Sequence, residues 1–244
     1  MVMLDPIARP SREPDKGPAK HLYCRPPEPV YFPASEEMPE TNRHLEIRTA
    51  LYLILKREFA ARATIGSEQF VYWDPTTSKK RLAPDAFVRL GVPHEPFRTW
   101  KTWKRGAPDL GVEVVSRSDE AEDDWNAKLA RYRMAGIGEV VRFDAEDREA
   151  PIRIWDLVEG DMVERASNDP DLFACEALGL WWTVVEHPSI GPMLRLARDR
   201  EGHDLLPTPD EGEAKAREES AKMREENARL EAEVAALRAQ LKGR

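Results

Sequence analysis

The sequence predicts an α/β (α+β) domain with a long helix at its C-terminal end, and three observations lead to that fold class. An early stretch of the 244 residues carries apolar side chains at helical spacing, and short β-branched and aromatic runs between Pro, Asp and Gly residues follow it. From about Asp210 the composition changes to Glu, Ala, Arg and Lys without a proline, which favours one continuous helix. We therefore expect an extended arm at 1–36, a folded domain at 37–207 and a helical tail at 208–244.

Composition excludes several classes of protein. With 41% hydrophobic residues, the chain has enough apolar side chains for a real core. No apolar run approaches the roughly 18 to 20 residues that a membrane helix needs, and the first residues lack a basic region followed by an apolar one. We therefore expect a cytoplasmic protein without membrane contact. Cys24 and Cys175 are far apart and have no Cys or His partners at zinc spacing, so both are expected to be buried, reduced thiols.

The first part of the chain has two clear local signals. Prolines are dense in residues 1–36 and predict an extended arm. They are Pro6, Pro10, Pro14, Pro18, Pro26, Pro27, Pro29 and Pro33. Thr41 is expected to cap a helix that runs to about Ala61, with Ile47 and Leu51 on its apolar stripe. His44 lies on the core side of this helix, where a hydrogen-bonded structural histidine is the alternative to a functional one.

Three runs rich in β-branched and aromatic residues, at 69–73, 86–90 and 110–115, then predict strands of one sheet. Each run is bounded by Pro, Asp or Gly. Ser118 and Asp119 are expected to open a helix that ends near Ala135, just before Gly136. Further strands are expected at 139–143, 152–157, 162–165, 180–185 and 193–197.

Two carboxylates stand in apolar, strand-like settings: Asp85 in Ala-Pro-Asp-Ala-Phe-Val and Glu113 in Gly-Val-Glu-Val-Val. Such carboxylates are costly unless a cation or several hydrogen bonds compensate them. Lys128 lies three residues after Trp125 and four before Tyr132, so at helical spacing it shares their inward face. Two acids and a lysine indicate a hydrolytic site in which Mg²⁺ binds the carboxylates. In the structural alternative, Glu113 pairs with an arginine and Asp85 caps a turn.

Basic residues flank both acids in sequence, although the whole chain has a formal charge of −8. A net negative charge argues against a protein that coats nucleic acid, but local potential can differ from net charge. The segment before Glu113 is a candidate for contacts with nucleic-acid phosphates. It contains Arg98, Lys101, Lys104 and Arg105, interleaved with Trp100 and Trp103. The alternative is a solvated, charged loop with two tryptophans packed beneath it.

The tail has a coiled-coil pattern. In one heptad register the a positions are Ser220, Asn227, Val234 and Leu241, and the d positions are Ala216, Met223, Leu230 and Leu237. A polar residue at an a position favours a parallel dimer. The alternative is a solvated single helix, because roughly four heptads is near the lower limit for stable pairing.

A set of short motifs connects the second acid to the helix and strand that follow it. The set comprises Ala107-Pro-Asp-Leu-Gly-Val-Glu-Val-Val-Ser, Asp124, Lys128, Tyr132, Ala-Gly-Ile at 135–137 and Val-Val-Arg-Phe-Asp at 140–144. In this order the motifs resemble the Uma-two family (Uma2) of restriction-endonuclease-like proteins, which are bacterial members of the PD-(D/E)xK nuclease superfamily. Pro84-Asp85 and the early helix also fit, so the resemblance extends from about Val30 to Pro209.

The resemblance implies a restriction-endonuclease-like fold, which is a mixed central sheet flanked by helices, with Asp85 and Glu113 as metal ligands. In the superfamily the lysine follows the second acid by two residues, but that position is Val115 in this chain. The resembling family places its lysine on the helix instead, and this residue is Lys128 here. Asp124, one turn earlier, would orient the lysine.

The same set of residues predicts the function. We expect a Mg²⁺- or Mn²⁺-dependent endonuclease that hydrolyses phosphodiester bonds of nucleic acid, with DNA as the expected polymer and a homodimer as the expected assembly. Asp85, Glu113 and Lys128 are the expected catalytic residues, while His44 and Tyr132 would support them. The alternative is a catalytically inactive nuclease-fold protein that serves as a dimeric nucleic-acid-binding or scaffold module.

Overall fold

A computed structural model of the chain describes residues 41–115, 122–166, 169 and 171–242, without the side chains of 122–124 and 235–242. The predicted arm at 1–36, Cys24 and the expected helix start at Ser118 and Asp119 lie outside the described residues.

Within the described residues the chain forms four helices and twelve strands. The helices are α1 (Asn42–Phe59), α2 (Thr102–Arg105), α3 (Glu122–Ala135) and α4 (Pro209–Lys242). The strands are β1 (Ala63–Gly66), β2 (Val71–Tyr72), β3 (Arg81–Leu82), β4 (Ala86–Leu90), β5 (Trp100–Lys101), β6 (Leu110–Val114), β7 (Glu139–Phe143), β8 (Ile152–Val158), β9 (Asp161–Glu164), β10 (Leu172–Cys175), β11 (Leu180–His187) and β12 (Gly191–Ala197).

Helix α1 forms where the sequence predicts it. The Thr41 hydroxyl accepts a hydrogen bond from the His44 backbone N–H at 3.2 Å and so caps the first turn. Ile47, Leu51 and Leu55 lie on the buried stripe of the helix. This stripe packs against one face of the central sheet.

Six strands form the central sheet in the order β1-β4-β6-β7-β8-β9. Strands β6 and β7 run parallel, with α3 as the crossover between them. The other four neighbouring pairs are antiparallel. The predicted mixed central sheet flanked by helices is therefore confirmed.

The expectation that the runs at 69–73, 86–90 and 110–115 belong to one sheet is wrong for the first of them. Val71 and Tyr72 of β2 pair with β3 and β5 in a separate three-stranded sheet, and β10, β11 and β12 form another. The edge of the central sheet is taken by β1, which the sequence did not predict. All four of its residues are buried, so it lacks the alternation that indicates a half-exposed strand.

The two faces of the central sheet carry different cores. Leu51 of α1 packs in the same core as Val112 and Val114 of β6, whereas Tyr132 of α3 belongs to the core on the other face. Successive side chains of a strand point to opposite faces. Glu113, between the two valines, therefore points toward the α3 face.

Glu139, the first residue of β7, is buried where the central sheet meets the sheet of β10, β11 and β12. Its carboxylate accepts hydrogen bonds from the Ala177 N–H at 3.2 Å and from Trp182 Nε1 at 3.4 Å. Arg165 Nη2 donates a third at 3.4 Å. The nearby Cys175 is a buried thiol without a disulfide, as predicted, and burial raises its pKa.

Helix α4 begins with a reciprocal cap. The Thr208 N–H donates to Glu211 Oε2 at 2.8 Å, and the Glu211 N–H donates to Thr208 Oγ1 at 3.3 Å. Arg195 of β12 pairs with the same glutamate at 2.7 Å. The first turn is thus fixed to the domain, whereas the described side chains after Gly212 are exposed.

Among the described residues, none of the helices combines the length and the apolar composition needed to cross a bilayer. The cytoplasmic location stays a prediction.

Candidate active site

Asp85 directly precedes β4 and is buried. Ala86 pairs with Val112, so one further step of this antiparallel register sets Asp85 opposite Glu113. The Val114 N–H donates to Asp85 Oδ2 at 2.7 Å, which connects the aspartate directly to the strand that carries the glutamate. Asp85, just before β4, and Glu113 of the adjacent strand β6 are therefore close neighbours, and the charge of Asp85 acts on Glu113.

Glu113 is held by two side chains of α3. Lys128 Nζ lies 2.8 Å from Glu113 Oε2, and the Tyr132 hydroxyl donates to Glu113 Oε1. The four-residue spacing places this lysine and tyrosine on one side of the helix, as the sequence predicts. The side chain of Asp124, the residue expected to orient Lys128, lies outside the described residues.

Burial raises the pKa of Glu113 to about 7. The positive charge of Lys128 acts in the opposite direction, and the negative charge of Asp85 adds to the rise. Lys128 and Tyr132 of α3 therefore offset only part of the free-energy cost of ionising the buried glutamate. This carboxylate is a proton acceptor near neutral pH, and a nearby cation would favour its ionised form.

A glycine makes the contact with Tyr132 possible. Gly111 lies two residues before Glu113 and thus on the same face of β6. A Cβ atom at this position would lie 2.6 Å from Tyr132 Cε1. Because there is no side chain, the tyrosine ring rests directly on the strand and its hydroxyl reaches Glu113.

The N-terminal part of α1 contributes a second pair of contacts. His44 Nε2 lies 3.2 Å from Asp85 Oδ2, and Arg48, one turn later, has its Nη1 2.5 Å from Glu68 Oε2. Glu68 has a left-handed φ of 64°, and its N–H donates to the Pro84 carbonyl at 2.8 Å. These contacts fix the chain just before Asp85. The arginine was not predicted, although its spacing of four residues from His44 is visible in the sequence.

Among the other carboxylates of the chain, Glu68 and Glu40 are further candidate metal ligands by residue type. Glu68 lies next to the site through its bond to Pro84, whereas Glu40 lies outside the described residues.

Two arginines continue the row of the acids across the sheet. Arg142 of β7 is the register partner of Glu113, and Arg153 of β8 is the register partner of Arg142. Their guanidinium groups stack over tryptophan rings, Arg142 at 5.6 Å from the Trp125 centroid and Arg153 at 5.1 Å from that of Trp155. Neither arginine was predicted as a site residue, because their alignment with Glu113 depends on strand pairing.

The predicted nucleic-acid contacts before Glu113 lie on and around α2. Three of them, Arg98, Lys101 and Lys104, are exposed. The Arg105 guanidinium stacks over the ring of Trp100 at 5.2 Å. Trp100 is buried and Trp103 is exposed, so only one of the two tryptophans packs beneath the segment.

Comparison with known protein families identifies the family of the chain. The sequence model of the family described as "Uma2: Putative restriction endonuclease" matches residues 35–185, which contain both acids, Lys128 and Tyr132. The chain belongs to the Uma2 family. Helix α4 lies beyond the region that the family model matches.

Solved structures include a similar chain. A crystal structure described as that of a putative nuclease belonging to DUF820 from Anabaena variabilis aligns with a TM-score of 0.39 and 14% sequence identity. The alignment covers 62% of this chain and 75% of that one. No curated protein matches the chain.

The donor set of this Uma2 protein fits Mg²⁺ or Mn²⁺. The described residues contain no group of three or more His, Cys, Asp or Glu side chains arranged around a metal position. A Mg²⁺ ion, however, keeps several of its waters and needs only one or two carboxylates from the protein. Asp85 and Glu113 supply two, and a divalent cation beside Glu113 would offset the effect of burial that raises the pKa of this carboxyl.

Proposed function

We propose that this chain is a metal-dependent endonuclease that hydrolyses phosphodiester bonds of nucleic acid, with DNA as its substrate. The observation that carries the proposal is the contact between α3 and the second acid. Lys128 reaches Glu113 from the helix at 2.8 Å, although the superfamily position for lysine is Val115 here. A lysine on α3 thus supplies the cation next to the acid pair.

Each residue of the site has a role in this proposal. Asp85 and Glu113 would hold Mg²⁺ or Mn²⁺, which when bound polarises a phosphoryl oxygen and lowers the pKa of a bound water. Lys128 would orient the attacking water or offset negative charge that develops on the phosphate. Its side chain is 27% exposed, so the ammonium lies at the border between the buried acid and solvent.

Two neighbouring side chains would position the ligands. Tyr132 donates a hydrogen bond to one oxygen of Glu113 and leaves the other for Lys128. His44 and the Val114 N–H both contact Asp85 Oδ2 and so fix the orientation of this carboxylate. Ligand oxygens fixed in this way reduce the reorganisation needed when a metal ion binds.

Two sets of basic residues are candidates for contacts with the nucleic-acid backbone. Arg142 and Arg153 lie in the same row as the acids, so a strand whose phosphate reaches Glu113 would pass over them. The segment around α2 is the second set, with Arg98, Lys101, Lys104 and Arg105. The logarithm of the binding constant falls linearly with the logarithm of the salt concentration, and loss of each phosphate contact should reduce the magnitude of this slope by about one.

The decisive experiment measures cleavage of plasmid and linear DNA by the full chain with Mg²⁺, Mn²⁺ or EDTA. We expect metal-dependent cleavage that Asp85→Asn abolishes while the far-ultraviolet circular dichroism spectrum stays unchanged. Glu186→Gln, which neutralises an exposed glutamate of β11, is the matched control and should keep full activity.

Absence of cleavage of both DNA and RNA by the wild-type chain, with either metal ion, would overturn the proposal. In that case a catalytically inactive binding or scaffold module would become the better description. A metal-independent melting temperature would support that alternative, because a ligand that binds only the native state raises its apparent stability.

A further inference from the structure

Helix α4 carries an exposed apolar stripe that the candidate active site does not use. Met223, Leu230 and Val234 are 64%, 46% and 44% exposed. Met223 and Leu230 occupy d positions and Val234 an a position of the heptad register, so the three lie on one side of the helix. This is the side that a coiled coil would bury.

The stripe continues from the point at which α4 leaves the domain. Gly212 is buried, and a Cβ atom there would lie 1.6 Å from Arg57 Nη1 of α1. Leu230 follows about five turns later, so it points to the same side of the helix as Gly212. The side of α4 that packs on the domain in the first turn is therefore the side that carries the exposed apolar residues farther along the helix. Since most helical stability in proteins comes from packing, a long exposed helix with this stripe would be stabilised by a partner.

We propose that this partner is the same helix of a second copy of the chain, paired in parallel. The charges beside the stripe favour this occupant and this direction. The g positions Glu219, Glu226 and Glu233 are all acidic. Three of the four e positions are basic: Arg217, Arg224 and Arg238, with Glu231 as the exception.

In a parallel pair each g residue faces the e residue of the next heptad in the other helix. Glu219 then faces Arg224 and Glu233 faces Arg238, whereas Glu226 faces Glu231. An antiparallel pair would instead bring g positions against g positions, which sets acid against acid. Two attractive contacts and one repulsive contact on each side thus favour the parallel arrangement.

Asn227 supports the same direction. It lies at an a position, where a parallel pair brings it against its counterpart in the second copy, and the two amides can hydrogen-bond to each other. An antiparallel pair would place it opposite an apolar d residue and leave the amide without that partner. The fixed first turn of each α4 then sets both folded domains at the same end of the coiled coil.

The mass of the full chain in solution tests the pairing. Sedimentation equilibrium over a concentration series should give twice the 27.9 kDa of one chain. Leu230→Lys places two charges in the interface between the paired helices and should raise the dissociation constant of the dimer by at least about a hundredfold. Ala232→Lys puts the same side chain on the outer face, at position f, and should leave the dimer intact.

A cysteine cross-link tests the direction. Oxidised Ser220→Cys protein, which keeps Asn227, should form a covalent dimer, because a parallel pair brings the two a positions together, whereas Ala232→Cys and the wild-type chain should not. A monomeric wild-type chain, or a dimer that Leu230→Lys leaves unchanged, would overturn the proposal. A dimer sensitive to Leu230→Lys that lacks the 220–220 cross-link would overturn the parallel direction. These outcomes are independent of whether the protein cleaves nucleic acid.

Discussion

Glu113 and Glu139 are buried glutamates on neighbouring parallel strands, yet they have different kinds of partner. Both are almost inaccessible, at 4% and 3% exposure. Glu139 accepts hydrogen bonds from the backbone, an indole and an arginine that join two sheets. Glu113 instead contacts a lysine at the edge of solvent and a tyrosine, and burial raises its pKa to about 7. Burial of an acid in a strand is thus not in itself a sign of chemistry, because the partners determine the role.

The largest expected difference between the two glutamates is in catalysis. Glu113→Gln removes a proposed metal ligand and should lower the rate of DNA cleavage by at least about a thousandfold. Glu139→Gln keeps a side chain that can still accept hydrogen bonds at the junction of the sheets and should leave the rate per folded molecule nearly unchanged. Single-turnover cleavage assays on both variants test this. Equal losses in the two variants would contradict the assignment of Glu113 to the site.

The next largest effect is the pH dependence of stability. Because the pKa of Glu113 rises from 4.5 to about 7 on folding, the native state retains a proton that the unfolded state releases. The wild-type chain should therefore lose about 3 kcal/mol of unfolding free energy relative to Glu113→Gln between pH 4.5 and 7, with little further change above that range. Urea denaturation in EDTA at several pH values measures this difference. A difference that stays constant across the range would refute the prediction.

A structural role for Glu139 predicts a loss of stability on truncation. Glu139→Ala leaves the Trp182 indole and the Ala177 N–H without their acceptor, at a cost of about 2 kcal/mol. Arg165 keeps its second partner, Asp156, which limits the loss. Urea denaturation at pH 8 should show a smaller loss for Glu113→Ala, since that change also removes an unfavourable buried charge. The reverse order of the two variants would argue that Glu113 is the structural residue.

The smallest expected effect concerns the hydroxyl of Tyr132. Tyr132→Phe keeps the ring over Gly111 and removes one donor to Glu113, so cleavage should slow by about tenfold with the fold unchanged. The loss should be larger at pH 8 than at pH 6, because the ionised carboxylate depends more on this donor. Pre-steady-state rates at both pH values measure it. Equal losses at both would indicate that the hydroxyl does not act through the glutamate.

Local patterns accounted for much of the fold and for the centre of the candidate site. The stripe of α1, the runs that form β4, β6 and β7, and the four-residue spacing of Lys128 and Tyr132 are all visible within a few neighbouring residues. The short strands β1 and β10 and the separate sheet of β2 were missed. Such strands are two to four residues long and depend on distant partners rather than on an alternating pattern.

The residues missed around the site share a second physical cause. Arg142 and Arg153 align with Glu113 only through the register of three strands, and Arg48 meets Glu68 only when α1 packs beside β1. The partners of Glu139 lie 26 to 43 residues away along the chain. Nonlocal pairing of this kind cannot be inferred from the spacing of residues in one sequence.

Gly111 offers protein engineering a way to disturb the proposed nuclease site without altering a polar group. One added methyl group, in Gly111→Ala, would meet the Tyr132 ring at 2.6 Å and displace it from the strand, while both acids and the lysine keep their chemistry. A scan that looks for catalytic residues only by their functional groups would overlook it, since what the site requires at position 111 is empty space.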